Sequence, residues 1–238
     1  MNVTHKGPEP EYIKNLFGSI SHGYDKANDV MTFGVARRWR KNLVKWSECK
    51  LGDKVLDCAT GTGDLAIDFK LAVGSDGKVI GSDFCKEMLS FAPAKAKEKN
   101  LQIEFTLEDA MNLTYEDQIF DVASIAFGIR NVSNPVKALC EMARVCKSGG
   151  RVMILETGTQ KIPVVGPFIK YYFKTIVPLL GGWVTGNRQA YEYLNNSSGT
   201  FPSGNEFVNL MLSTGAFSKV EFKSLMGGAS FLYKGTVK

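Results

Sequence analysis

The stretch Lys54-Val55-Leu56-Asp57-Cys58-Ala59-Thr60-Gly61-Thr62-Gly63-Asp64 decides the fold: an apolar run of strand character enters a glycine turn and leaves as the start of a helix. No Cβ stands at Gly61 or Gly63, so the backbone can bend sharply and approach a ligand closely there. Strand, glycine turn and helix in that order make a nucleotide-type site, and the carboxylates of Asp57 and Asp64 bias its ligand. Two carboxylates repel a dinucleotide pyrophosphate and attract a ligand that carries an ammonium and a sulfonium. S-adenosylmethionine has both groups and no phosphate, which points to methyl transfer. The spacing Gly61-x-Gly63-x-x-Ala66 also fits the looser dinucleotide fingerprint, so an NAD-type ligand is the competing reading, disfavoured by the acidic rim.

Around this stretch, strand-like runs alternate with helical patterns, the signature of a parallel sheet covered by helices. Strands are expected at residues 55–58, 78–82, 103–106, 122–126 and 152–155. Helices are expected from Asp64, from Lys86, and from Asn134 or Pro135, since proline suits a first helical turn. The alternation stops after Glu156, and residues 159–196 form a long apolar and aromatic insertion broken by Pro163, Pro167, Pro178 and Gly181-Gly182. Lys170 and Lys174 interrupt it, so no membrane-spanning run of about 20 apolar residues survives. A helical lid is expected, packed on the domain or also binding a greasy substrate or a membrane surface. A helix at 206–212 and an antiparallel pair at 219–224 and 229–237 should close the chain. The expected organisation is one domain: an N-terminal helical cap over 1–50, a cofactor-binding core over 51–157, the lid over 158–200, and the closing helix and strand pair over 201–238.

Composition narrows the function classes. With 238 residues, 44% hydrophobic and 22% charged, the chain is an ordinary globular one rather than a disordered or fibrous one. A net charge of +5 without a basic block gives no sign of nucleic acid binding, although Lys161, Lys170 and Lys174 would suit an anionic membrane surface. The five scattered cysteines read as reduced core thiols, and the polar first eleven residues lack an apolar secretory run, so a cytoplasmic protein is expected. Both histidines, His5 and His22, lie near the N-terminus, which leaves no His/Cys metal cluster and no triad histidine.

Further residues fit the cofactor reading. Asp83 ends the second expected strand, 20 residues beyond Gly63, where a carboxylate can accept from both ribose hydroxyls; the alternative is an N-cap for the helix starting at Lys86. Asp109-Ala110 follows the third strand, where a carboxylate and a backbone N–H can read an adenine edge. On its own, Asp109 would be an ordinary solvated loop carboxylate.

The run Tyr24-Asp25-Lys26-Ala27-Asn28-Asp29-Val30-Met31-Thr32-Phe33-Gly34-Val35-Ala36-Arg37-Arg38-Trp39 resembles the first signature of the UbiE/MenG family, the C-methyltransferases of ubiquinone and menaquinone biosynthesis. Arg144-Val145-Cys146-Lys147-Ser148-Gly149-Gly150-Arg151 with Ile154-Leu155-Glu156 is similar to a second signature. Phe127-Gly128-Ile129-Arg130-Asn131-Val132, Tyr191-x-Tyr193-Leu194-x-x-Ser197 and Phe201-Pro202 also match, so the resemblance covers nearly the whole chain. It implies a class I methyltransferase fold, a Rossmann-like seven-stranded sheet with its last strand antiparallel, using S-adenosylmethionine. Thr62, Asp83, Asp109 and Ala110 match the family's cofactor positions, and the glycine-turn reading adds Asp57 and Gly61 to the expected cofactor site. Ala36 and Tyr233 stand where the family commonly has histidine, Cys146-Lys147-Ser148 replaces Leu-Lys-Pro, and Ala126 replaces a serine that contacts the cofactor in some relatives.

The implied acceptor is a polyprenylated quinol, with demethylmenaquinol ahead of the ubiquinone-pathway 2-polyprenyl-6-methoxy-benzoquinol. Its ring carbon becomes nucleophilic when the adjacent phenol ionises, and a phenol of pKa near 10 needs a positive neighbour or a base for that. Arg130 is the first candidate, with Asn131 orienting the quinol oxygen or a water; the alternative for Arg130 is a structural salt bridge. Tyr24, Asp25, Asn28 and Asp29 are second candidates, although aspartates also cap helices. Competing readings are methylation of another lipidic or phenolic acceptor, and a non-catalytic S-adenosylmethionine-binding member of a quinone-synthesis assembly. Peripheral contact with the inner face of a membrane through the lid, and a homodimer, complete the expectations.

Overall fold

The computed structural model describes residues 7–158 and 185–238. A seven-stranded sheet with strand order β3-β2-β1-β4-β5-β7-β6 forms the centre. Its strands are β1 (Lys54–Cys58), β2 (Lys78–Asp83), β3 (Glu104–Leu107), β4 (Phe120–Ala126), β5 (Cys146–Thr157), β6 (Phe217–Leu225) and β7 (Ser230–Val237). Neighbours from β3 through β5 run parallel, whereas β7 is antiparallel to both β5 and β6, so the expected sheet is present. Helices on both faces explain why β1 and β2 read as unbroken apolar runs rather than alternating ones.

Helices are numbered along the described residues: α1 (Pro10–Ile20), α2 (Tyr24–Thr32), α3 (Val35–Ser47), α4 (Asp64–Val73), α5 (Lys86–Leu89), α6 (Ala92–Glu98), α7 (Pro135–Val145), α8 (Arg188–Thr200) and α9 (Asn205–Ser213). One face of the sheet packs on α7 and α9 through Leu139, Met142, Phe207 and Met211. The other packs on α3 and α4 through Leu43, Leu65 and Phe69. A separate small cluster joins α1 and α2 to α8, with Leu16, Ile20, Ala27 and Met31 meeting Ala190 and Tyr191.

Several boundaries differ from the sequence reading, each for a local reason. The third strand lies at Glu104–Leu107, one residue later than expected. β5 begins at Cys146 rather than 152: its pairing with β4 jumps from Phe120–Cys146 to Val122–Arg151, so residues 147–150 bulge out, with Gly149 at φ 74°. The helix expected from Lys86 stops at Leu89 and a second starts at Ala92, because Pro93 has no N–H to donate into the preceding turn. Most of the insertion, residues 159–184, lies outside the described residues; its C-terminal part enters α8, capped by the Asn187 side chain accepting from the Ala190 N–H at 3.1 Å. Among the described residues no helix is long and apolar enough to cross a membrane, and no cluster of His, Cys, Asp and Glu could hold a metal ion. All five cysteines are free thiols.

Candidate active site

β1 and β4 are neighbours from which the chain departs in opposite directions across the sheet, the switch point where parallel α/β sheets open a crevice at the strands' carboxyl ends. A pocket with an open mouth occupies that crevice. Its floor is Ala59 and Gly61 after β1 and Phe127 and Gly128 after β4. Asp83, Cys85 and Met88 form one wall, and residues 108–111 after β3 another. Pro10, Ile13, Phe17 and Tyr24, from α1 and α2, roof it. Ala59 and Phe127 hold left-handed backbone, φ 49° and 57°, an uncommon conformation for residues with a Cβ. Strain of that kind costs about 1–3 kcal/mol per residue and collects at functional sites.

Gly61, at φ 57°, turns its N–H to Asp83 Oδ2 at 2.8 Å. A Cβ built there meets only the flexible Met88 Cε, at 3.3 Å, and so would stand in the pocket itself. Asp83 is buried and also accepts from the Cys85 N–H at 2.8 Å. Burial pushes its carboxyl up to about 6, against the pull of these backbone donors. It thus fixes both loop backbones and still lines the pocket, while the N-cap position of the helix starting at Lys86 falls to Cys85 rather than Asp83. Asp109 and Ala110 line the wall after β3, with Asp109 Oδ1 accepting from the Met111 N–H at 2.8 Å.

Asp57 and Thr62 are placed elsewhere. Asp57 points beneath the glycine turn, 1% exposed, where Thr60 Oγ1 and Ser124 Oγ donate to it at 2.6 and 2.7 Å. Burial pushes its carboxyl up to about 7, so it supports the turn rather than forming a rim. Thr62 gives its hydroxyl proton to Asp25 Oδ1 at 2.6 Å, and Lys95 Nζ links Asp25, Thr62 and Asp64. Asp64 also takes Arg40 Nη2 at 2.6 Å. Burial raises the Asp64 carboxyl, and Arg40 and Lys95 more than reverse that, leaving it below the usual carboxylate range. The pocket's acidic groups are therefore Asp83, Glu108 and Asp109, not Asp57 and Asp64.

Tyr24 and Asn131, expected at the acceptor, line the same pocket. Burial raises the Tyr24 phenol above its ordinary value, so it remains protonated at neutral pH. Arg130 lies behind the pocket wall, 7% exposed and ion-paired through Nη1 with the buried Glu156. Its Nη1 also donates to the Phe127 carbonyl at 3.0 Å, while Nε has no partner. The structural salt bridge weighed for Arg130 is thus real, with its acid on a strand rather than in a loop. Asp29 pairs with Arg37 at the end of α2 and does not reach the pocket. Glu156 was missed, although one acid ending the apolar run Val152–Leu155 was a signal for a buried counterion. Tyr193 OH donates to Asn131 Oδ1 at 3.1 Å, a contact between residues 62 apart that a motif match does not reveal.

The donor set fits S-adenosylmethionine: a glycine whose missing Cβ leaves ligand space, a carboxylate at the end of β2, the further acids Glu108 and Asp109 in the lining, and no lysine among the pocket residues. A model of the ubiE/COQ5 methyltransferase family matches residues 5–237. The chain is 54% identical over 236 residues to the ubiquinone/menaquinone biosynthesis C-methyltransferase UbiE of Bdellovibrio bacteriovorus, covering 99% of this chain and all of that one. It is 36% identical over 233 residues to a demethylmenaquinone methyltransferase of Staphylococcus haemolyticus, covering 98% and 97%. Among solved structures, a SAM-dependent methyltransferase from Aquifex aeolicus superposes with a TM-score of 0.61 at 21% identity, covering 84% of this chain and 89% of that one, a likeness of fold. Glycine turn, pocket and matched sequence therefore agree, and the chain belongs to the ubiE/COQ5 methyltransferase family, an S-adenosylmethionine-dependent class I methyltransferase.

Proposed function

We propose that this enzyme methylates a ring carbon of a polyprenylated quinol, converting demethylmenaquinol to menaquinol. The observation that carries the reading is that Tyr24 and Asn131 share one pocket with Gly61 and Asp83, so residues suited to the acceptor and to the donor line a single space. Bound S-adenosylmethionine supplies an electrophilic methyl group on a positively charged sulfur. Gly61, Asp83, Asp109 and Ala110 hold the cofactor, and the roof of α1 and α2 excludes water. Tyr24, kept protonated by burial, and Asn131 donate hydrogen bonds to the quinol oxygen, which favours its ionised form and raises electron density at the adjacent carbon. Arg130, neutralised by Glu156, acts as a positioning residue that clamps the Phe127 carbonyl behind the pocket. The ring carbon bonds to the methyl as the methyl–sulfur bond breaks and S-adenosylhomocysteine leaves; loss of that carbon's proton restores the aromatic ring, and the one net proton released passes to solvent at the pocket's open mouth. Asp57 and Thr62 serve the loop's shape.

The Bdellovibrio relative's name spans both quinone pathways, so the test runs both acceptors side by side. Labelled S-adenosylmethionine is supplied with short-tailed reduced demethylmenaquinol or with its ubiquinone-pathway counterpart. Label in demethylmenaquinol alone is expected; label only in the other ring moves the assignment to the ubiquinone pathway, and binding without turnover on either refutes quinol methylation. Peripheral membrane contact belongs to the same proposal, supported by the apolar, lysine-punctuated composition of residues 159–184, and vesicle co-sedimentation reads it. A homodimer is the remaining part, read by analytical sedimentation.

A further inference from the structure

Asn131 has an amide whose orientation can be deduced. The Phe127 carbonyl can only accept, so the nitrogen must face it, and Nδ2 lies 3.3 Å from that oxygen. Oδ1 therefore faces the other way, where the Tyr193 hydroxyl lies 3.1 Å off and must donate. With one Nδ2 proton on Phe127 and Oδ1 held by Tyr193, the amide's uncommitted donor is its second Nδ2 proton. A pocket-lining group fixed in this way presents a donor to an oxygen ligand and is prevented from flipping to present its acceptor.

We propose that Tyr193, on α8, is a positioning residue for methyl transfer, locking the Asn131 amide so that it donates to the quinol oxygen. Resting on the quinol reading above, the inference adds an element beyond the cofactor pocket to the reaction. Two further observations support it. Tyr193 packs edge-on against Tyr12 of α1, ring centroids 5.6 Å apart, so its ring is held from the roof side. Burial raises its phenol, against the opposing pull of Arg130, so at neutral pH the hydroxyl retains the proton that the lock requires.

The experiment is a double-mutant cycle of Tyr193→Phe and Asn131→Ala on the full-length enzyme, with reduced short-tailed demethylmenaquinol and S-adenosylmethionine as substrates. Tyr193→Phe keeps the ring and removes only the hydroxyl. It is expected to lower kcat about five- to tenfold, to leave the KM for S-adenosylmethionine unchanged, and to move the acid limb of the pH–rate profile upward, because phenolate stabilisation weakens. In the Asn131→Ala background the same change should have almost no effect. Equal loss from Tyr193→Phe in both backgrounds, or no loss in either, overturns the lock. Full activity of Asn131→Ala instead overturns the placement of Asn131 in the quinol reading, so the two failures are distinguishable. Matching thermal unfolding of Tyr193→Phe and wild type is expected, and a large drop would assign the tyrosine to structure alone.

Discussion

Asp57 and Asp83 give the folded protein a pH signature. The Asp57 carboxyl is pushed up to about 7 and that of Asp83 up to about 6, both above the ordinary value near 4 that an unfolded chain shows. A folded-state value raised in this way contributes stability that is full below about pH 4 and lost as pH rises through 6 and 7. The unliganded protein should lose on the order of a few kcal/mol between pH 5 and 8 through these two groups, and Asp57→Asn should flatten that slope, read by urea unfolding at several pH values. Gly61→Val should weaken S-adenosylmethionine binding about a hundredfold or more by calorimetry, since the added side chain enters the pocket and φ 57° opposes a β-branched residue. Unchanged affinity would remove the cofactor from this turn. Gly61, Asp83, Asp109 and Ala110 were legible in the sequence because strand-end position alone brings them to the crevice. Asp57 and Thr62 were not: spacing shows which loop a side chain stands on, whereas the direction of its carboxylate or hydroxyl depends on partners such as Ser124 and Asp25, 67 and 37 residues away in sequence.

Elements with strong local punctuation were the most readable. α7 starts where Asn134 and Pro135 signal it, the asparagine side chain accepting from the Lys137 N–H at 3.0 Å. Asn134→Ala should cost about 1 kcal/mol of stability in urea unfolding, because it removes the side-chain acceptor of the Lys137 N–H at the helix start. The closing pair β6–β7 followed from apolar patterning: β6 came out longer at both ends than expected, where pairing with β7 extends it beyond its apolar centre, and β7 starts one residue later than expected. The α5–α6 break and the β4–β5 bulge escaped the pattern: each rests on a single residue, Pro93 or Gly149, inside a run whose average character suggests continuity. Arg130 shows the same limit in its chemistry. A basic residue after β4 reads as available charge, and only the pairing of β4 with β5 brings Glu156 to neutralise it.

Across the molecule, the pocket is built from two bodies of unequal support. Its floor belongs to the sheet and the two large clusters, while its roof of α1 and α2 rests on a small cluster with α8 and on the Asp25–Lys95–Asp64–Arg40 charge network. Lys95→Met should therefore speed amide hydrogen exchange in α1 and α2 while leaving β1 and β4 as protected as before; equal acceleration in the sheet would show that roof and floor open as one. The roof also bears on the rhythm of turnover. Pro10, Ile13, Phe17 and Tyr24 cover a pocket that each cycle must empty of spent donor and refill, so we expect these helices to swing aside as each methyl is delivered. Such a motion is resisted by the friction of the surrounding liquid, and kcat at saturating substrates should fall in inverse proportion to viscosity in sucrose solutions. The cell's own crowding would then govern the throughput of this enzyme as much as its chemistry does.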